Sequence, residues 1–350
     1  MDKIVLKNIT KSYEKNKPVI ENLDITIKQG SFTVLLGPSG CGKSTILRMI
    51  AGLEKEDSGE IEIDGVSMKG VEPGDRQIAM VFQNYALYPT MTVRENIEFG
   101  LKNMKVPKDE RKKRIEEVAQ MVNLEAYLDR KPSQLSGGQR QRVALARAIV
   151  KKPSVFLMDE PLSNLDSKLR ASIRTELIEL YRKLGSTFVY VTHDQTEAMS
   201  MGTDIILMEN GKIRQHDDPI KLYNSPANVF SARFIGTPPM NILPIEVMKG
   251  TDIKFPSKAA SVGFRPEACT VSAEGQKASG HLCLEGELIT REILGDQILY
   301  KVQTPFGSVQ AKDFEQLMVD YGNVMIKAEA SKLYYFDGSD NLIETHLEGE

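Results

Sequence analysis

The glycine-rich run from Gly37 to Thr45 constrains the fold of this chain more than any other stretch of its sequence. Residues 32–36, just before the run, are apolar and favour β structure, so they predict a buried strand. Residues 46–51, just after it, predict the first turns of a helix. A strand, a glycine-rich turn with Lys-Ser and a helix together predict a phosphate-binding loop. We therefore expect an α/β domain that binds a nucleotide at this turn.

Each residue type in the loop suits phosphate binding. Gly37, Gly40 and Gly42 permit the positive φ angles that turn successive backbone N–H groups inward around phosphate oxygens. The partial positive charge of the helix N-terminus adds to this attraction. Lys43 can reach the β- and γ-phosphates, and the Ser44 hydroxyl can ligate Mg²⁺. The residues predicted to bind the nucleotide here are Gly37, Pro38, Ser39, Gly40, Cys41, Gly42, Lys43, Ser44 and Thr45.

Two later strands are each followed by residues that can handle protons and metal ions. Residues 155–158 are apolar and end at Asp159 and Glu160, and residues 188–192 end at His193. The carboxyl ends of parallel strands gather ligands at one edge of a sheet. We therefore expect Asp159 to hold Mg²⁺ or its water and Glu160 to polarise an attacking water. The position of His193 at the same edge favours a functional over a structural role.

Two other features each allow more than one interpretation. Residues 135–139 (Leu-Ser-Gly-Gly-Gln) precede strong helix formers, so they predict a second helix N-terminus that could bind an anion or could be an ordinary cap. Tyr13 lies in a polar stretch between two predicted strands. Its ring could stack on an adenine or cover apolar surface at a strand edge, and the spacing leaves both open.

Composition limits the class of protein. A chain of 350 residues is long enough for two domains. Its formal net charge of −3 argues against nucleic acid as the main partner. A membrane span needs about 18 consecutive apolar residues. No run in this sequence approaches that length, so we expect any membrane role to come through a partner. The three cysteines show no CxxC spacing, which favours a reducing compartment without disulfides or a zinc site.

The last third of the chain has a different pattern. The prolines and glycine of residues 236–241 would break a helix, so we place a domain boundary there, between residues 1–235 and 236–350. Beyond it, apolar residues alternate as in strands, at Ile298, Tyr300 and Val302 and again in residues 324–328. Several short strands in this length predict a small antiparallel barrel.

Five motifs in order resemble the ATP-binding-cassette (ABC) family. The resemblance covers about residues 1–235 and implies an α/β P-loop NTPase domain with a helical subdomain at about 86–150. It also implies ATP and Mg²⁺ as cofactors and hydrolysis of ATP to ADP and phosphate. The motifs that carry it are the loop at 37–45, Gln83, the Leu-Ser-Gly-Gly-Gln run at 135–139, the strand and carboxylates at 155–160, and His193.

The resemblance also assigns roles at matching positions. Tyr13 looks like the aromatic residue that stacks on adenine. Gln83 looks like the glutamine that contacts Mg²⁺ and the attacking water and links the site to membrane subunits. Asp159 resembles the Mg²⁺-associated aspartate, Glu160 the general base, and His193 the histidine near the γ-phosphate. The metal site implied in this way consists of Ser44, Gln83 and Asp159.

A dimer is a further implication of the family. Its Ser-Gly-Gly-Gln signature completes the nucleotide site of the other subunit, and its loop aspartate lies at the dimer interface. The corresponding positions here are Ser136, Gly137, Gly138, Gln139 and Asp166. Because one chain carries one complete set, the resemblance implies a homodimer or a close heterodimer with two bound ATP molecules.

The second half narrows the resemblance to the long ATPases of bacterial carbohydrate importers, of the maltose type. Residues 219–223, 226–230, 236–241 and 263–267 carry this likeness, while residues 215–218 depart from it. Such ATPases carry a C-terminal OB-like (TOBE) regulatory domain. The resemblance implies a subunit bound peripherally at the cytoplasmic face of the membrane, with two permease subunits and, indirectly, an extracytoplasmic sugar-binding protein as partners.

Three other functions stay open. ATPases of polyamine, iron or sulfate importers share this layout. Soluble ABC proteins that act on ribosomes or DNA usually have two cassettes or a long insertion, which this chain lacks. The aromatic residues of the last third could also stack on bases in a nucleic-acid-binding OB module. We expect no nucleic-acid partner and expect these rings to pack in the core; they are Tyr300, Phe306, Phe314, Tyr321, Tyr334, Tyr335 and Phe336.

Overall fold

The structure is a computed structural model, and it describes residues 1–15, 17–273, 278–315 and 318–343. The chain forms two compact units, Met1–Pro219 and Ile220–Glu350, and each is described by itself.

The first unit combines two sheets with helices. Its strands are β1 (Asp2–Glu14), β2 (Lys17–Lys28), β3 (Phe32–Leu36), β4 (Ser58–Ile63), β5 (Val66–Ser67), β6 (Ile78–Val81), β7 (Val155–Asp159), β8 (Thr187–Thr192), β9 (Asp204–Glu209) and β10 (Lys212–Asp217). Its helices are α1 (Lys43–Ala51), α2 (Val93–Asn103), α3 (Lys108–Met121), α4 (Gly137–Ile149), α5 (Ser167–Leu184) and α6 (Gln195–Met201), with 3₁₀ turns at Pro73–Asp75, Glu125–Tyr127 and Pro132–Gln134.

The larger sheet sets the position of the candidate site. Its described strands are ordered β10-β9-β3-β8-β7-β6. Strands β9, β3, β8, β7 and β6 run parallel, and β10 pairs antiparallel with β9 through the turn at Asn210 and Gly211. Every residue of β3, β7 and β8 is buried, as their continuous apolar runs predict for a sheet covered on both faces. Their carboxyl ends therefore open onto one edge, where the loop at 37–45, Glu160 and His193 follow directly.

Helix α1 shares a core with both sheets. The smaller sheet, ordered β2-β1-β4-β5, is antiparallel and contributes apolar side chains to the same cluster as α1, β3, β7 and β8. Ile46 and Ile50 of α1 are fully buried in that cluster. Burying a side chain of this size stabilises the folded state by about 1.5–3 kcal/mol. This packing fixes the helix whose first residue is Lys43.

Helices α2, α3 and α4 lie within the predicted helical segment at about 86–150. A capping box opens α2: Glu95 N donates to Thr92 Oγ1 at 3.2 Å, and Thr92 N donates to Glu95 Oε2 at 2.7 Å. Behind it, the buried Asn96 side chain donates to the carbonyl oxygens of Tyr88 and Thr92 at 3.1 and 2.9 Å. The capping box satisfies the backbone N–H groups of Thr92 and Glu95. The Asn96 bonds satisfy carbonyl oxygens of the loop that leads into the helix.

The second unit is mostly antiparallel β structure. Its elements are α7 (Pro219–Asn224), α8 (Val229–Phe234), β11 (Asn241–Pro244), β12 (Ser261–Phe264), β13 (Cys269–Ala273), β14 (His281–Ile293), β15 (Ile298–Thr304), β16 (Gly307–Asp313), β17 (Asn323–Glu329) and β18 (Tyr334–Phe336), with 3₁₀ turns at Ile245–Met248, Pro266–Ala268 and Ala330–Lys332. The described strands form two sheets, ordered β11-β12-β18 and β13-β17-β14-β15-β16. The small all-β, OB-like fold predicted for this half is confirmed.

The seven aromatic rings expected to pack in the core differ in exposure, and Tyr334 is half-buried against the cluster that contains Phe336. Tyr300, Tyr335 and Phe336 are buried in apolar clusters, as expected for core packing. Phe306, Phe314 and Tyr321 are exposed, so for these rings the expectation of core packing is wrong. They lie in turns and strand ends, where alternation no longer directs a side chain inward.

The second unit begins before the predicted boundary. Helix α8 and most of α7 belong to it, although the sequence places both before residue 236. The reason is visible at Arg265, whose buried guanidinium donates to Tyr223 O at 2.6 Å and Ala232 O at 3.1 Å. The prolines at 238 and 239 therefore mark a turn between elements that pack on each other.

Candidate nucleotide site

The loop between β3 and α1 requires glycine at the positions where it bends most tightly. Gly42 has a φ of 103°, and Gly37 leaves no room for a side chain, since a Cβ there would lie 2.2 Å from Met208 O. At Gly42 a Cβ would lie 3.1 Å from Ile20 Cγ1. The backbone is thus held against neighbouring strands, and within the loop Cys41 N donates to Pro38 O at 3.4 Å. Glycine-rich loops of this conformation can turn backbone N–H groups toward an anion.

Lys43 places a buried ammonium group over this loop. Its side chain is 4% exposed, and Nζ donates to Gly37 O at 2.9 Å and Pro38 O at 2.8 Å. A buried cation whose partners are neutral carbonyl oxygens lacks a counter-charge, which a phosphate would supply. Burial raises the pKa of the neighbouring Cys41 thiol, although Lys43 opposes the shift. The thiol therefore stays protonated and unreactive at neutral pH.

Oxygen ligands meet beside the loop. Ser44 Oγ donates to Asp159 Oδ1 at 2.7 Å, so a hydroxyl and a carboxylate from different elements already converge. Such hard oxygen donors suit Mg²⁺, which keeps several waters and takes few ligands from protein. Across the described ranges no group of three or more His, Cys, Asp or Glu side chains could hold a metal ion. Arg48, which the sequence analysis missed, lies 3.6 Å from Asp159 Oδ2.

Glu160 is the centre of a second cluster. Its Oε1 lies 3.2 Å from His193 Nδ1, and its Oε2 accepts from Gln83 Nε2 at 3.5 Å. Its φ is +44°, a conformation that costs a residue with a side chain about 1–3 kcal/mol. Strain of this kind concentrates at functional sites, where surrounding structure enforces it. Here Glu160 N donates to Val191 O at 3.1 Å, which ties the strained residue to the neighbouring strand.

The loop after Glu160 contributes residues that the sequence analysis did not identify. Ser163 Oγ accepts from Gln83 Nε2 at 3.1 Å and donates to Glu160 O at 2.9 Å. Asn164 Nδ2 donates to Gln83 O at 2.9 Å. The two residues thus hold Gln83 beside Glu160. The sequence offers one signal for them, because two polar side chains follow shortly after Asp159-Glu160-Pro161.

Tyr13 lies close to the loop and is open to solvent. It is part of β1, its side chain is 55% exposed, and its hydroxyl lies 3.3 Å from Thr45 Oγ1. Lys11 Nζ lies 5.4 Å from the centre of the ring. An exposed aromatic face at the rim of the loop can accept a flat ring from a ligand.

The signature residues form a separate feature. Ser136 caps α4 in a second capping box: Gln139 N donates to Ser136 Oγ at 3.3 Å, and Ser136 N donates to Gln139 Oε1 at 2.8 Å. The N–H groups of Gly137 and Gly138 have no acceptor within the part of the chain that the structure describes. A helix N-terminus with free N–H groups can bind an anion.

The structure therefore brings together some of the predicted residues and leaves others apart. Two groups of predicted residues lie around one edge of the sheet. In the first, the loop at 37–45 contacts Tyr13 and Asp159. In the second, Glu160 contacts Gln83 and His193. In the described segments, no hydrogen bond joins residues 136–139 to the loop at 37–45. Asp166 instead caps α5 by accepting from Leu169 N at 3.0 Å.

Comparisons with known proteins agree with this geometry. The family model described as "ABC transporter" matches residues 20–163. The sn-glycerol-3-phosphate import ATP-binding protein UgpC of Brucella abortus (strain 2308) is 54% identical over 285 residues, covering 80% of this chain and 81% of the relative. UgpC of Bartonella quintana (strain Toulouse) is 48% identical over 322 residues, covering 91% and 92%.

Solved structures are similar to part of this chain. A dimeric post-hydrolysis state of the ATP-binding cassette MJ0796, bound to ADP and Pi, is 37% identical with a TM-score of 0.56 and covers 62% of this chain and 98% of that chain. CbiO1 from Clostridium perfringens, part of the ABC transporter complex CbiONQ, is 30% identical with a TM-score of 0.59 and covers 63% and 91%.

Proposed function

Because the chain belongs to the ABC transporter family, as an ATP-binding subunit that hydrolyses ATP, we propose that it drives import of a carbohydrate or carbohydrate-like solute. The observation that carries the ATP chemistry is the convergence of the Lys43 loop, the Ser44–Asp159 pair and the Glu160–His193 pair at one sheet edge. The import direction and solute class are supported by relatives 54% and 48% identical that are named as sn-glycerol-3-phosphate import proteins.

The loop and its lysine bind the phosphates. Backbone N–H groups of residues 37–45 and the N-terminus of α1 hold phosphate oxygens, and Lys43 turns its ammonium from the Gly37 and Pro38 carbonyls to the β- and γ-phosphates. Tyr13 stacks on the adenine at the rim. Ser44, Asp159 and Gln83 would hold Mg²⁺, which would supply positive charge to neutralise the phosphates.

Glu160 and His193 act on the attacking water. Glu160 accepts the proton of that water as it approaches the γ-phosphate, in the role of general base. His193, 3.2 Å from Glu160 Oε1, orients this carboxylate and lies where the γ-phosphate oxygens collect. Gln83 faces the other carboxylate oxygen and positions the water from the opposite side.

A second copy of the chain completes the site. Residues 136–139 offer free N–H groups at Gly137 and Gly138 but make no hydrogen bond to their own loop among the residues described. We assign them, with Asp166, to the nucleotide bound by the partner subunit of a homodimer. ATP then favours the closed dimer because it binds that state more tightly, and this difference in affinity drives the transporter.

A cleft next to Gln83 suits a permease. It has a volume of about 900 Å³ and is lined by Phe82, Tyr85, Phe99 and Met104 among others. Polar and basic side chains, among them Asn96, Arg147 and Lys151, also line it. A groove that combines aromatic, aliphatic and basic side chains suits an amphipathic helix of a partner. None of the described helices is both long and apolar enough to cross a membrane. We place the chain peripherally at the cytoplasmic face, docked on two permease subunits through this cleft.

Affinity purification from detergent-solubilised membranes tests the proposal. Met104 in the cleft and Met318 in the second unit are both exposed, at 53% and 62%, so Met104→Glu and Met318→Glu form a matched pair. We expect two multi-span permeases and a sugar-binding protein to co-purify with the wild type and Met318→Glu, and to be lost with Met104→Glu. Recovery of ribosomes or nucleic acid without membrane protein would overturn the import function. Retention by Met104→Glu would overturn only the docking site.

A further inference from the structure

Arg170 of α5 joins two loops that both contact Glu160. Its Nη1 lies 3.4 Å from Asp194 Oδ2, and its Nη2 donates to Leu165 O at 3.1 Å and lies 3.5 Å from Ser163 O. Its Nε is buried and has no partner in the described part of the chain. The other contacts of the guanidinium therefore hold it in place despite an unsatisfied donor.

On one side, Arg170 controls the turn that carries His193. Asp194 follows His193 directly and caps α6, since its Oδ1 accepts from Thr196 N at 2.7 Å and Glu197 N at 3.2 Å. Asp194 N donates to Thr192 Oγ1 at 3.0 Å.

Glu197 makes this turn rigid. Its buried Oε2 accepts from Thr192 Oγ1 at 2.7 Å and from Tyr190 OH at 2.9 Å. Because Thr192 and Asp194, the two neighbours of His193, are bonded to each other, a displacement of Asp194 would move the backbone of His193 with it. The contact between Arg170 and Asp194 thus influences the distance from His193 to Glu160.

On the other side, Arg170 controls the loop 163–165. Ser163 in this loop holds Gln83. Asp166, the residue after the loop, is the N-cap of α5. Under the proposed function Asp166 lies at the dimer interface. A movement of this loop when the partner subunit closes would therefore reach Asp194 and His193 through a single guanidinium.

We propose that Arg170 is a positioning residue for ATP hydrolysis, which aligns the His193 turn and the loop 163–165 around Glu160. This inference rests on the proposed roles of Glu160 and His193. Arg170 does not touch the reacting atoms and acts through Asp194 and the backbone of the loop. Its contribution is to the geometry of the transition state, so it affects kcat rather than ATP affinity.

Four variants test this assignment: Arg170→Met, Arg170→Lys, Asp194→Asn and the double variant Arg170→Met/Asp194→Asn. Asparagine still caps a helix, so Asp194→Asn removes the charge and keeps α6. We expect Arg170→Met to lower kcat about 10- to 100-fold with the ATP dissociation constant within about twofold of wild type. Arg170→Lys recovers part of the loss, and the double variant loses no more than Arg170→Met because both changes break one contact.

Controls separate this inference from the proposed function. Arg182→Met, an exposed arginine in the last turn of the same helix, should keep the wild-type kcat. A wild-type kcat in Arg170→Met, or effects of the two single changes that simply add, would overturn the role of Arg170. A parallel loss of ATP affinity and thermal stability in Arg170→Met would assign it a purely structural role. Absence of ATP hydrolysis in the wild type would instead overturn the proposed function.

Discussion

Helices α2 and α4 begin with the same capping box but leave their backbone N–H groups in different states. In α2, Val93 N donates to Arg130 O and Arg94 N donates to Leu128 O, both at 2.8 Å. The equivalent N–H groups of α4, those of Gly137 and Gly138, have no acceptor among the residues described. One helix start is closed by its own chain, and the other is available to a ligand.

This difference separates structure from function where the sequence signal does not. Both boxes follow the pattern Ser/Thr-x-x-Glu/Gln, which predicts only that a helix begins. Whether the next N–H groups are free depends on what the rest of the chain packs against them. At α2 a loop ending near Arg130 supplies carbonyl oxygens; at α4 we propose that phosphate of the partner's nucleotide does.

The largest effect is expected from Glu160→Gln, which changes the proposed general base at the sheet edge and leaves both helix starts unchanged. We expect phosphate release to fall roughly 10²- to 10⁴-fold, because the amide cannot accept the proton of the attacking water. ATP binding should persist, and an ATP-bound dimer should accumulate. Phosphate release is measured by a coupled assay and dimer formation by sedimentation. Wild-type phosphate release would remove Glu160 from its assigned role.

A smaller effect distinguishes the two boxes by pH. A hydrogen bond from the Thr92 backbone N–H holds the pKa of the exposed Glu95 below its ordinary 4.5, while the matching residue of α4 is the uncharged Gln139. A lowered folded-state pKa gives stability that is present above the unfolded pKa and is lost as pH falls through the folded value.

The matched variant for this effect is Glu95→Gln, which makes the α2 box like that of α4. The wild type should be the more stable at neutral pH, and its advantage should shrink as the pH falls below about 4.5. Thermal unfolding measured across this range provides the check. A difference in midpoint that stays constant with pH would contradict the assigned ionic contribution.

Local patterns predicted much of the fold and the position of the candidate site at one edge of the sheet. Apolar runs located β3, β7 and β8, and the polar residues after them led to Asp159, Glu160 and His193, because strand ends in a parallel sheet meet at one edge. The capping boxes were equally local.

Contacts between distant segments could not be predicted in this way. Arg170 and Asp194 are 24 residues apart, and Gln83 and Ser163 are 80 apart. Neither pair follows a helix or strand period, so only the folded structure joins them. The buried Arg265, which brings α8 into the second unit, is a similar case.

The dimerisation of two N-cap variants tests most directly whether the start of α4 binds the nucleotide of the partner subunit. Ser136→Asp and Thr92→Asp each keep a good cap, because aspartate suits that position. In the Glu160→Gln background, we expect Thr92→Asp to form the ATP-dependent dimer. Ser136→Asp should bind ATP at its own loop yet stay monomeric, because its carboxylate would face the partner's phosphates. Dimers formed equally well by both variants would contradict the assignment of the α4 start to the partner's nucleotide.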